Sequence, residues 1–188
     1  ARIKQVIYRR IMFDFETQNA IGKKGETLVK KYYESKTDEE GKRQFICRDV
    51  TFDDQMKGAD LFIINNELGA RYVEVKTDTQ IKDTDNFALE IMIVQDNGDK
   101  KIGAALKTFA DFLFYWEYPT STLYYWNPQE LVPYIIDWMY DRKYNIVEAQ
   151  NKNFFSRTLL VPKKDLLATN VVKEITVSYH IVDEILIA

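Results

Sequence analysis

The stretch Gly58-Ala59-Asp60-Leu61-Phe62-Ile63-Ile64-Asn65-Asn66-Glu67-Leu68-Gly69-Ala70-Arg71-Tyr72-Val73-Glu74-Val75-Lys76 decides the fold. Its two apolar runs, Leu61 to Ile64 and Arg71 to Lys76, are rich in β-branched and aromatic residues and read as strands. The intervening Asn65-Asn66-Glu67-Leu68-Gly69 has turn composition, with a glycine for a positive-φ position. A hairpin centred on Glu67 sets Asp60 directly opposite Glu74, where paired Cβ atoms are about 4.5–5.5 Å apart. The strand period of two then puts Lys76 on the same face as Glu74. Val73 and Val75 on one side and Tyr72 on the other imply a strand covered on both faces. A register slip of one residue would keep Glu74 beside Lys76 but move Asp60 off the pair.

An acid and a lysine inside such a strand are costly to desolvate, so they must be paired or bind a metal. Two carboxylates as close as Asp60 and Glu74 repel each other, and a hard cation such as Mg²⁺ relieves the repulsion. The hairpin therefore reads as a divalent-metal site. Upstream, Gly25-Glu26-Thr27-Leu28-Val29-Lys30-Lys31-Tyr32-Tyr33 reads as a helix on which Glu26, Val29 and Tyr33 share one face. A carboxylate on that apolar stripe points toward the sheet.

Gly58-Ala59-Asp60 followed by Glu74-Val75-Lys76 resembles the core of the PD-(D/E)xK nuclease superfamily, the restriction-endonuclease-like fold. The resemblance covers roughly residues 20 to 120, and Ala59 stands where the family carries its leading proline. It implies an α/β (α+β) fold: a helix, a central mixed β-sheet and a second flanking helix, here with a C-terminal β-rich extension. The implied activity is divalent-metal-dependent endonuclease cleavage of DNA phosphodiester bonds. Glu26, Asp60, Glu74 and Lys76 would be catalytic, with Mg²⁺ (Mn²⁺ substituting) held by Glu26, Asp60, Glu74 and the carbonyl of Val75. Lys76 would orient the attacking water or steady charge on the phosphate, and Gln80 and Glu90 are auxiliary candidates. The implied partner is double-stranded or branched DNA, bound by a homodimer, because many relatives cut two strands as symmetric pairs. Asn86-Phe87-Ala88-Leu89-Glu90-Ile91 and Lys107 to Tyr115 are similar to small nucleases of phages and mobile elements.

The residue inventory narrows the chemistry. With one histidine, His180, and one cysteine, Cys47, a His/Cys zinc site, a Ser-His-Asp triad and a Cys-His pair are disfavoured. No P-loop and no Gly-x-Gly-x-x-Gly occurs. No apolar run approaches the ~20 residues of a membrane span, the N-terminus lacks a signal-peptide core, and a cytoplasmic setting is expected. The net charge of −3 runs against the basic face usual in nucleic-acid binders. Pairs such as Lys23-Lys24, Lys30-Lys31, Lys42-Arg43, Lys100-Lys101 and Lys163-Lys164, together with Lys57, would have to converge for the local field to be positive. Two alternatives stand beside the nuclease: a non-catalytic nucleic-acid-binding or assembly module that keeps the fold, and an unrelated α+β interaction protein whose charges match by chance.

The 188 residues read as one domain, with a core near 20–142 and an extension near 143–188 that packs on the core or forms an oligomer interface. Residues 2 to 16 read as a strand or an arm. Helices are expected near 23–35 and 128–142, the latter begun by Asn127 as N-cap and Pro128 at N1. A short helix is expected over 103–110; Lys107 and Asp111, at i, i+4, are explained as a helical salt bridge and left out of the site. Strands are expected near 44–52, 60–65, 71–77, 86–95, 111–117 and 122–126. Two more are expected in the tail, over Arg157 to Val161 and Glu174 to Val182. Asp96-Asn97-Gly98-Asp99 is a hairpin signal.

Overall fold

A computed structural model describes residues 11–12, 15–67, 69–151 and 153–188. The first elements are β1 (Ile11–Met12), α1 (Phe15–Glu34), β2 (Ile46–Asp49) and the short α2 (Phe52–Met56). The hairpin β3 (Leu61–Asn65) and β4 (Gly69–Asp78) is followed by α3 (Ile81–Thr84) and a second hairpin, β5 (Asn86–Gln95) and β6 (Lys100–Ile102). Next come β7 (Phe112–Glu117), β8 (Thr122–Trp126), α4 (Pro128–Tyr140), β9 (Ile146–Gln150) and β10 (Phe154–Pro162). α5 (Lys163–Leu167), β11 (Lys173–Thr176) and α6 (Tyr179–Ile187) end the chain.

The strands form two sheets. One is mixed and six-stranded, in the order β11-β8-β7-β4-β3-β2, and the other follows β1-β9-β10-β5-β6. β4 and β7 run parallel at the centre of the first sheet, joined by a crossover that passes through the β5–β6 hairpin of the second. Central position explains β7, Phe112-Leu113-Phe114-Tyr115-Trp116: it reads as a continuous apolar run because it is buried on both faces. Phe112, Phe114 and Trp116 face α1 and α6, where Leu28, Val29, Val182 and Ile185 pack with Leu61, Ile63 and Val73. Leu113 and Tyr115 face the second sheet, and with Tyr124 and Trp126 they meet Phe87, Leu89, Leu159 and Val161. α4 closes this second core with Leu131, Ile135 and Trp138. Its N-cap is as the sequence indicates, Asn127 Oδ1 accepting from Gln129 N–H.

The second sheet covers only part of that face. Strands β2 and β3 contribute nothing to the second core, and Ile46 and Ile64 there stay exposed.

Four sequence expectations need correction. α1 begins at Phe15, eight residues before Lys23. Residues 103–110 are turns and irregular chain, not a helix, because the segment returns from β6 to enter β7. Asp111 consequently bonds to β4: its Oδ2 accepts the Tyr72 N–H and its own N–H donates to Tyr72 O, both at 2.8 Å. Strand β11 stops at Thr176, and residues 179–187 are helical, burying Val182 and Ile185 at i and i+3. His180 lies exposed on this helix. The segment after residue 143 supplies strands to both sheets, with β10 pairing along the length of β5. The N-terminal arm falls mostly outside the described residues.

Candidate active site

The hairpin has the register read from its sequence. Leu61 pairs with Val73 and Asn65 with Gly69, which places its centre at Glu67. Just before the ladder begins, the Asp60 N–H donates to Val73 O at 2.8 Å, and Asp60 Oδ2 accepts the Val75 N–H at 2.7 Å. Asp60 thus brackets Glu74 from the neighbouring strand. Glu74 is 4 % exposed and uses both oxygens: Oε1 lies 2.9 Å from Lys76 Nζ and Oε2 accepts from the Thr108 hydroxyl at 2.7 Å. Lys76 keeps 44 % of its side chain exposed while its ammonium pairs with the buried acid.

Glycines make these approaches possible. Gly58 has φ +100°, and a Cβ there would sit 2.9 Å from Thr108 Oγ1 and 3.5 Å from Glu74 Oε2. On the other side of β4, Gly25 of α1 lies so close that a Cβ would fall 1.9 Å from Thr77 Oγ1. This contact seats α1 on β4 and carries the next residue, Glu26, to the site. Lys23 holds both Glu26 oxygens, at 2.7 and 3.0 Å.

The electrostatics reflect crowded acids. Burial pushes the Asp60 carboxyl up to about 6; the Val75 N–H opposes this, the Glu26 carboxylate raises it, Lys76 lowers it and Glu74 raises it. Burial also raises Glu90, partly offset by Lys76 and a backbone N–H from Ala104. Burial works to lower Lys76, but the Glu74 and Glu90 carboxylates outweigh it and hold the ammonium above its ordinary value. Lys23 is raised chiefly by its bond to Glu26, with Asp60 contributing.

A bulge helps deliver Glu90. The β5–β10 ladder pairs Met92 with Arg157 and then Glu90 with Thr158, skipping Ile91. Gly103 packs against this backbone, where a Cβ would come within 2.4 Å of Glu90 O. Gln80 is exposed before α3, its amide donating to Thr79 Oγ1 at 3.3 Å.

Glu26, Asp60, Glu74, Lys76 and Glu90 therefore share one electrostatic neighbourhood, with Val75 as its backbone floor. Among the described residues, no three or more His, Cys, Asp or Glu side chains are arranged so that they could hold a metal ion. Two participants escaped sequence reading as site residues, Lys23 and Thr108. Lys23 carried a signal, because Glu26 lies three residues on along one helix. Thr108 carried none, since its place depends on the loop before β7. Cys47 is a buried apolar filler whose thiol burial pushes up to about 11. Among the described residues, no helix is long and apolar enough to cross a membrane.

No protein-family model, curated protein or solved structure matches the chain.

Proposed function

We propose that the chain is a divalent-metal-dependent endonuclease that hydrolyses DNA phosphodiester bonds on a restriction-endonuclease-like core. The observation that supports this reading is Asp60 bracketing Glu74 while Glu74 pairs with Lys76, the three residues on which the resemblance to the superfamily rests. The donor chemistry fits a hard cation, since all candidate ligands are oxygens. Glu26, Asp60, Glu74 and the Val75 carbonyl would hold Mg²⁺, or Mn²⁺ in its place, only after Glu26 and Glu74 leave their present partners Lys23 and Lys76 and the carboxylates draw together. When bound, the ion would polarise the scissile phosphate and acidify a coordinated water.

The chain's own residues do the rest. Lys76, paired with Glu74, would set its ammonium against the phosphate oxygens as charge builds on them. Glu74 keeps Lys76 protonated and aimed. Thr108 fixes the second Glu74 oxygen, so the acid cannot swing away. Cutting both strands of a duplex calls for two such sites, which a symmetric pair of chains would supply.

One observation favours a second reading. Glu74 is already closed by Lys76 and Thr108, as it would be in a module that keeps the fold and binds nucleic acid without cutting. A cleavage assay separates the two. Supercoiled, linear, single-stranded and branched DNA are incubated with Mg²⁺, Mn²⁺ or EDTA, using wild type, Asp60→Asn and Lys76→Ala, each checked for folding by thermal melting. The nuclease reading expects metal-dependent cutting that falls at least about 100-fold in both variants. Binding without cutting by folded wild type under every metal condition would leave the non-catalytic module.

A further inference from the structure

The uncovered part of the six-stranded sheet lies beside the candidate active site, and its side chains form an ordered row. Tyr72 is two residues before Glu74 on β4 and therefore shares its face. Phe62 pairs with Tyr72 across the hairpin, ring centroids 4.9 Å apart. Phe109, from the loop that also supplies Thr108, continues the row at 4.6 Å from Tyr72. A cation stands at each end. Arg48 is exposed and opposite Phe62 in the β2–β3 register, and the Lys57 ammonium lies 5.4 Å from the Phe109 ring centroid.

This row differs from the aromatic residues of the two cores. Phe109 is 44 % exposed, and the Phe62 and Tyr72 rings are only partly buried. The step from Tyr72 to Glu74 is about 6.7 Å along the strand. A strand lying on the rings would pass beside the acids. The rings are tilted by 48° and 49° to their neighbours, and Lys57, which lies over Phe109, also stands 3.6 Å from Asp54. Partly exposed aromatic rings with cations beside them suit unpaired bases with their phosphates, since every base has a π-face to stack and stacking needs no base-edge readout. A duplex would keep its bases stacked on each other, out of reach of such rings.

Resting on the nuclease reading, we infer that Phe62, Tyr72 and Phe109 form a stacking platform that binds the unpaired bases of a DNA strand and feeds its backbone to Asp60 and Glu74. The substrate class is accordingly DNA with a single-stranded segment: a flap, a fork, a branch or a free strand. Arg48 and Lys57 hold phosphates at the two ends of the row.

The test is equilibrium binding in EDTA, which does not depend on cutting. Fluorescence anisotropy compares a labelled oligo-dT with a blunt duplex of the same length on wild type, Phe109→Ala, Phe109→Trp and the double variant Arg48→Glu/Lys57→Glu. The platform predicts tighter binding of the single strand, about tenfold weaker in Phe109→Ala. It predicts recovery in Phe109→Trp with quenching of the new indole by dT, and a loss of binding in the charge-reversed variant that salt reproduces. Equal affinity for both DNAs, or an unchanged Phe109→Ala, overturns it. So does sedimentation showing that Phe109→Ala separates a dimer while DNA binding stays intact, because the face would then be a contact between two copies. If the platform fails while metal-dependent cutting persists, the nuclease reading stands alone; if oligo-dT binds as expected and nothing is cut, the platform stands on the non-catalytic module.

Discussion

One face of β4 carries two polar clusters, and they are assembled in opposite ways. At Glu74 and Lys76, the acids Asp60 and Glu90 crowd the lysine, and Glu26 in turn crowds Asp60. Two residues on, Asp78 begins a cluster whose members satisfy one another. Asp78 Oδ1 accepts the N–H groups of Gln80 and Ile81, capping α3, and Oδ2 accepts the Tyr115 hydroxyl. Beside it in the β4–β7 register, Glu117 Oε2 accepts from Tyr124 OH at 2.9 Å and from Lys163 Nζ at 3.0 Å. Lys163 also lies 3.4 Å from Asp85. Polar groups closed in this way hold the two sheets in one arrangement. Glu74 in the first cluster is closed through Lys76 and Thr108, while Asp60 holds only a backbone N–H among the described residues.

The largest effect that sharpens this contrast is on stability. Lys163→Met strands the Glu117 carboxylate between the sheets and is expected to lower the unfolding free energy by about 3 kcal/mol in urea titration. A change near zero would mean that the second cluster holds nothing. Gly25→Ala comes next, because its Cβ must displace Thr77 or lift α1 from β4. The expected loss is about 2 kcal/mol, read by thermal melting, with weaker Mn²⁺ binding as Glu26 moves away. The smallest effect concerns pH. The folded Asp60 carboxyl titrates at about 6, above its ordinary value of 3.8, so the folded chain favours the protonated acid. Its stabilising contribution is whole below about pH 4 and is lost as pH rises through 6, on the order of 1 kcal/mol after allowance for partial exposure. Urea titration in EDTA should show this slope in wild type and not in Asp60→Asn. A slope shared by both proteins would place the titration elsewhere.

The site was legible where its geometry is local. A turn of known composition fixes the hairpin centre, the centre fixes the Asp60–Glu74 register, and the strand period fixes Lys76. α4 was legible for the same reason, since Asn127 and Pro128 write its start into adjacent residues. Non-local facts were not. Pairing of β10 with β5 joins residues 59 to 76 positions apart (Gln95 with Phe154, Asn86 with Pro162), and nothing in either strand names its partner. Thr108 reaches Glu74 only because the loop before β7 crosses Gly58. The helix expected over 103–110 is irregular chain, and the spacing of Lys107 and Asp111 that a helical salt bridge would explain is one that a loop also permits. The misread strand at Glu174 to Val182 came from alternation in β11 that ends at Thr176, after which burial of Val182 and Ile185 follows a helical period.

The central claim is that the Asp60 cluster binds a divalent cation and the Asp78–Glu117 cluster does not. Isothermal titration with Mn²⁺ on wild type, Asp60→Asn and Glu117→Gln tests it directly. The account predicts saturable binding in wild type, loss of at least about tenfold in affinity for Asp60→Asn, and no change for Glu117→Gln. Equal Mn²⁺ affinity in wild type and a folded Asp60→Asn, or no binding by wild type, would contradict it.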